Sequence, residues 1–163
     1  MMFSPAQIKD ACDCLDALRG KGLRLVTAES CTGGLVSALL TEVPGSSDVL
    51  ERGYVTYSDA SKTEMLGVPA DVINRHGAVS AAVAVAMAEG ALLRSHANLA
   101  VSVTGIAGPS GGTPQKPVGL VYMATATNSG AASAHRFTFP DQGRASIRLA
   151  ALSEALRLIR EAI

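Results

Sequence analysis

The stretch Thr27-Ala28-Glu29-Ser30-Cys31-Thr32-Gly33-Gly34 constrains the fold more than any other part of the chain. It follows Leu23-Arg24-Leu25-Val26, which reads as a buried strand, and precedes Leu35-Val36-Ser37-Ala38-Leu39-Leu40, which reads as a helix. A hydroxyl, a thiol and two glycines therefore stand where a strand hands over to a helix. In open α/β sheets ligands gather outside the carboxyl ends of the strands. The stretch predicts an α/β domain with Ser30 as a candidate nucleophile at the top of its first strand.

The remaining pattern extends that reading. Ile8, Ala11, Leu15 and Leu18 share one helical face over residues 4–20, with Ser4-Pro5 as N-cap and first-turn proline and Gly20 and Gly22 as the stop. The first strand is expected over 23–27 and the second helix over 32–42. A strand is expected at Tyr54-Val55-Thr56-Tyr57, with Val55 and Tyr57 on one face, followed by a short helix through Lys62 capped by Ser58 or Asp59. Another helical turn is expected over Ala70 to Arg75. Ser80 caps an alanine-rich helix to about Arg94, and Asn98 to Thr104 reads as a strand. Leu120 to Ala126 and Ala134 to Phe139 form a hairpin pair, and Arg144 to Ile163 a closing helix. Helices flank and separate strands throughout, so the expected fold is a single α/β domain over residues 1–163, with three layers, α/β/α, and a mixed, mostly parallel sheet.

Composition excludes several classes. Charges balance, with 14 basic and 14 acidic residues, so there is no basic excess of the kind a dedicated nucleic-acid binder carries. No apolar run is long enough to span a membrane, and the start lacks the features of a signal peptide. The expected location is cytoplasmic. Cys12 and Cys14 read as small helix residues, with Cys12 facing inward. No Cys/His spacing suits a metal, and His76, His96 and His135 read as surface or capping residues.

Three features carry possible chemistry. Ser30 needs a base to act as a nucleophile. The start of the following helix would offer backbone N–H groups for an oxyanion, with Gly33 and Gly34 allowing close approach; the plain alternative is that Ser30 or Thr32 only caps the helix. Lys62 would lie in a first helical turn, where the macrodipole disfavours positive charge. It is either a solvated surface lysine or one kept for a depressed pKa, and Tyr57 stands close enough in sequence to share a pocket with it. The segment Gly105 to Gly119 is long for a connection without regular structure, and four glycines, Gly105, Gly108, Gly111 and Gly112, would let its amides converge on an anion. It fits neither nucleotide-binding fingerprint, and a surface loop or an oligomer contact is the alternative. Arg144 offers a planar fork for phosphate or carboxylate, and Arg148 either joins it or faces solvent.

Taken together, Ala28-Glu29-Ser30-Cys31-Thr32-Gly33-Gly34, Pro44-Gly45-Ser46-Ser47, Val55-Thr56-Tyr57-Ser58 with Lys62, Gly77-Ala78-Val79-Ser80, Val103-Thr104-Gly105-Ile106-Ala107-Gly108-Pro109 and Gly111-Gly112-Thr113-Pro114-Gln115-Lys116-Pro117-Val118-Gly119 resemble the CinA C-terminal domain family. That family includes stand-alone nicotinamide-nucleotide amidohydrolases. The resemblance implies hydrolysis of the carboxamide of nicotinamide mononucleotide to nicotinate mononucleotide and ammonia, with no metal and no cofactor. By motif it implies Ser30 as nucleophile, Lys62 as base and Tyr57 beside them, orienting Lys62 or shuttling the proton. Thr32, Gly33 and Gly34 would hold the oxyanion. Thr104, Gly105, Gly108, Gly111, Gly112 and Arg144 would bind the rest of the substrate. Gln142-Gly143-Arg144 stands where the family usually has Gly-Asp-Arg, and Asp59 where it frequently has asparagine. A homo-oligomer, a dimer, is expected. The alternative reading is a nucleotide-binding or regulatory module that keeps the pocket without turnover and acts with DNA-uptake or repair machinery.

Overall fold

The structure, a computed structural model, describes residues 2–163. Its elements are α1 (Pro5–Gly20), β1 (Leu25–Glu29), α2 (Leu35–Thr41), β2 (Leu50–Val55), α3 (Asp59–Leu66), α4 (Ala70–His76), α5 (Ala81–Leu93), β3 (Leu99–Gly105), β4 (Leu120–Thr127), β5 (Gly130–Thr138) and α6 (Arg144–Glu161). One sheet runs in the order β2-β1-β3-β4-β5. β1 pairs parallel with both β2 and β3, while β4 runs antiparallel to β3 and β5. The sheet is mixed, with β4 alone reversed and the strand pairings divided equally between the two senses.

Helices cover both faces. The face formed by Leu25, Val101, Val103 and Met123 packs against α1, α2 and α6. Val26, Ala28, Ala100 and Ala124 point the other way, onto α3, α4 and α5. Alternation along each central strand thus builds two cores, giving the expected three layers. Among the described residues no helix is long and apolar enough to cross a membrane.

Local chemistry explains the clean boundaries. The Ser4 hydroxyl accepts from Gln7 N–H at 3.2 Å, and the Gln7 side chain accepts from Ser4 N–H at 2.9 Å, a reciprocal capping box that starts α1. Ser80 caps α5 through Val83 N–H. Four expectations need correction. Cys14, not Cys12, faces the core, because the buried face of α1 runs Ala11, Cys14, Leu15, Leu18. Its burial pushes the thiol up to about 12. β2 begins at Leu50 rather than Tyr54: Glu51-Arg52-Gly53 breaks the apolar pattern, which an edge strand tolerates because one side faces solvent. β1 ends at Glu29, two residues later than expected, and α2 starts at Leu35, three residues later than expected.

Gly90 is where α5 meets α3. A Cβ there would lie 2.0 Å from the Leu66 carbonyl oxygen, a backbone atom that cannot swing aside. Gly90→Ala gains about 1 kcal/mol of helix propensity, but forced overpacking costs about 1–3 kcal/mol. The expected net result is a melting temperature lower by several degrees. Gly20→Ala, at the end of α1 with no atom within 4 Å, is the control and is expected to be neutral or stabilising.

Candidate active site

The topology creates the site. From β1 the chain passes through α2 to β2 on one side, while β3 lies on the other, so the carboxyl ends of β1 and β3 border a switch point in strand order. Ser30 follows the last residue of β1 there, and its N–H donates to the Val103 carbonyl at 2.9 Å. A cavity of about 200 Å³ opens at this point. Ser30, Tyr57, Lys62, Thr104, Gly105 and Arg144 all line it, joined by Cys31, Asp59 and the Ala78-Val79 segment before α5.

Lys62 is the largest side chain removed from solvent, at 1 % exposure. The Ser58 hydroxyl caps α3 by accepting from Ser61 N–H at 3.1 Å, and this sets the helix so that Lys62 points into the sheet's carboxyl end. Its Nζ donates to the Thr56 carbonyl at 2.8 Å and lies 3.1 Å from Ser30 Oγ. Among the described residues it forms no ion pair. Burial holds its pKa below the ordinary lysine value, against opposing pulls from Asp59 and Cys31. Burial thus favours the neutral amine.

The turn after Ser30 is pinned by a residue that sequence reading passed over. Glu29 is fully buried and accepts five hydrogen bonds: from Thr32 Oγ1 at 2.7 Å, Gly34 N–H at 3.0 Å, Val36 N–H at 3.1 Å, Ser37 N–H at 3.0 Å and Ser37 Oγ at 3.2 Å. These are donors the helix start would otherwise leave free. Gly33 and Gly34 take φ of +60° and +97°, which lets the chain fold back around this carboxylate and delays α2 to Leu35. The signal for it was an acidic residue closing an otherwise apolar strand just before a helix.

That network revises the expected oxyanion donors. Gly33 N–H is engaged by the Ser30 carbonyl at 3.0 Å, and Gly34 N–H by Glu29. The amides of Cys31 and Thr32 are the ones in this turn that no other described residue accepts from. Arg148 fixes the other side of the turn, donating to the Cys31 carbonyl at 3.0 Å and the Thr32 carbonyl at 2.9 Å. It neither joins Arg144 nor faces solvent.

Tyr57 lies beyond β2 and bonds Arg144 rather than Lys62. Its hydroxyl accepts from Arg144 Nη2 at 2.6 Å, while Arg144 Nη1 donates to the Gly108 carbonyl at 2.9 Å. Arg144 thus straps Tyr57 to the glycine-rich segment across the mouth of the cavity. Thr104 Oγ1 donates to the Ala78 carbonyl at 2.9 Å. A Cβ at Gly105 would meet the Val121 side chain at 2.6 Å, so this glycine serves close packing. Gly111 and Gly112 are exposed and lie outside the cavity lining. Burial pushes the Cys31 thiol up to about 11, which disfavours it as a nucleophile.

Comparison with known proteins agrees on one family. The model of the CinA C-terminal domain matches residues 8–163. A CinA-like protein of Akkermansia muciniphila is 53% identical over 139 residues, 85% of this chain and 33% of the relative. A CinA-like protein of an Anaeromyxobacter species is 51% identical over 146 residues, 90% of this chain and 35% of the relative. The chain thus spans about a third of the length of these curated relatives. Among solved structures, the competence/damage inducible protein CihA of Agrobacterium tumefaciens superposes with a TM-score of 0.94 at 47% identity, covering 96% of this chain and 95% of that one. A CinA superfamily protein of Klebsiella pneumoniae gives a TM-score of 0.91 at 32% identity, covering 95% and 96%.

Proposed function

The chain belongs to the CinA C-terminal domain family, and from that premise we propose that its cavity hydrolyses the carboxamide of nicotinamide mononucleotide, giving nicotinate mononucleotide and ammonia. The observation that carries the reading is Lys62: a buried amine that forms no ion pair among the described residues, 3.1 Å from the Ser30 hydroxyl oxygen. Burial disfavours the charged form of this amine, so its neutral, proton-accepting form is more accessible than in a solvated lysine.

Ser30 Oγ attacks the amide carbon as its proton passes to Lys62 Nζ. The negative oxygen of the tetrahedral intermediate faces the Cys31 and Thr32 amides, held in place by Arg148 on their carbonyl side. The C–N bond then breaks as Lys62 returns the proton to the leaving nitrogen, releasing ammonia and an acyl-serine. Water attacks the acyl carbon and loses a proton to Lys62, which passes it to Ser30 Oγ as the ester C–O bond breaks, freeing the acid and restoring the serine hydroxyl and the neutral amine. A cavity of about 200 Å³ suits a ring and its amide rather than a whole nucleotide. The ribose and phosphate therefore lie at its mouth, within reach of Arg144.

The test is ammonia release from nicotinamide mononucleotide by the purified protein, beside nicotinamide riboside and nicotinamide. Release from the mononucleotide in preference to the other two supports the reading; saturable binding without release points to a binding module instead. The lysine adds a second expectation. Below its pKa Lys62 is charged and accepts no proton, so kcat/KM rises with pH through a limb lying below the ordinary lysine value of 10.5. Lys62→Met is expected to lower kcat by about 10²- to 10⁴-fold. Its stability near neutral pH is expected to hold or rise, because a depressed pKa means that the unfolded chain binds the extra proton. Wild-type rates in Lys62→Met would remove the base from the mechanism.

A further inference from the structure

We propose that Asp59 selects a positively charged ring on the amide presented to Ser30, so that the site prefers N-substituted pyridinium carboxamides to their neutral-ring counterparts; this rests on the amidohydrolase reading above. Three side chains of the cavity wall bear on its charge: Arg144, Lys62 and Asp59. Arg144 is always cationic. Lys62 is neutral when it acts as a base and cationic once it has taken the serine proton. Asp59 is the one carboxylate among these three, and with asparagine in its place a cationic ring would lack a counter-charge on the cavity wall.

Asp59 is placed and free to act on that ring. It is the first residue of α3, three positions before Lys62, so the two share a helical face, and that face lines the cavity. Its carboxylate forms no ion pair and no side-chain hydrogen bond with any described residue, unlike the exposed Asp13, which pairs with Lys9, and Asp71, which pairs with Arg75. The ring is close by chemical necessity. The carboxamide carbon is bonded directly to it, so a carbonyl within about 3–3.5 Å of Ser30 Oγ brings the ring nitrogen into the same small cavity.

Asp59 also favours the dipole of α3 and bears on Lys62, but both effects act alike on every substrate. Ring charge does not. The experiment compares kcat/KM for nicotinamide mononucleotide with that for its reduced form, which keeps the carboxamide, ribose and phosphate but has an uncharged dihydropyridine ring. Asp59→Asn is expected to lower kcat/KM for the oxidised nucleotide about 2- to 5-fold more than for the reduced one, mainly through KM, the size appropriate to a solvent-exposed charge pair. An equal change for both nucleotides overturns the inference while leaving the hydrolysis reading intact. Should the wild-type protein release ammonia from neither, the hydrolysis reading falls. The dissociation constants of the two nucleotides for wild type and Asp59→Asn then decide: a selective weakening of the oxidised form upholds ring-charge selection, and an equal change overturns it.

Discussion

Ser30→Ala is expected to fold normally and to release ammonia from nicotinamide mononucleotide at least 10³-fold more slowly than wild type, since loss of a nucleophile removes the covalent route entirely. The fold has little reason to suffer. The Ser30 side chain makes one hydrogen bond, to Lys62, and Lys62 keeps its bond to the Thr56 carbonyl. Thermal melting within about 1 kcal/mol of wild type is therefore the companion expectation. The variant also separates two neighbouring nucleophiles. With its thiol at about 11, Cys31 holds only roughly one part in ten thousand as thiolate at pH 7. Cys31→Ala is expected to keep most of the activity. Full activity in Ser30→Ala, or its loss in Cys31→Ala without loss of fold, would move the nucleophile one residue along the chain.

Removing the Glu29 carboxylate is expected to have the largest effect on stability. In Glu29→Ala the five donors it serves lose this acceptor together, the Thr32 hydroxyl and Val36 N–H in a buried place and the Gly34 and Ser37 donors in a partly buried one. Stranding even one buried polar group costs about 1–3 kcal/mol. Some of these donors will find water, so the expected total is about 3–5 kcal/mol, a large part of the 5–15 kcal/mol typical of a domain. Urea unfolding measures it directly. Glu29→Gln keeps the shape and one acceptor oxygen but turns an amide N–H₂ toward backbone N–H groups. It is expected to fold with reduced stability and to lose kcat more than KM, because the turn that aims Ser30 is displaced while the substrate wall is not. An unfolding free energy for Glu29→Ala within 1 kcal/mol of wild type would show that the network is dispensable.

What could be read from sequence tracks how local its cause is. The Ser4 and Ser80 caps and the pairing of β4 with β5 depend on residues within a few positions of one another and emerge as expected, although β5 begins at Gly130, four residues before the expected Ala134. The start of α2 depends on Glu29, a side chain reaching forward from the previous strand, and it was misplaced accordingly. Tyr57 illustrates the limit best. Alternation assigns it a strand face, but its position answers to Arg144, 87 residues further on. Lys62 was singled out by its place in the helix and by the family motif; that it is buried beside Ser30 follows from how α3 packs, which spacing does not encode. Arg148 offered two ordinary roles by sequence and takes neither.

The two arginines of α6 have a consequence for how the protein is made. Arg148 reaches carbonyls 117 and 116 residues earlier in the chain. During synthesis at about 5–20 residues per second, Ser30 and Lys62 have left the ribosome several seconds before either guanidinium is added. A nascent chain in that interval has Ser30 and Lys62 but no brace on the turn and no strap across the pocket. On the proposed mechanism, competence is acquired with the docking of α6, and a product interrupted before that helix is a protein with the right residues and an idle site.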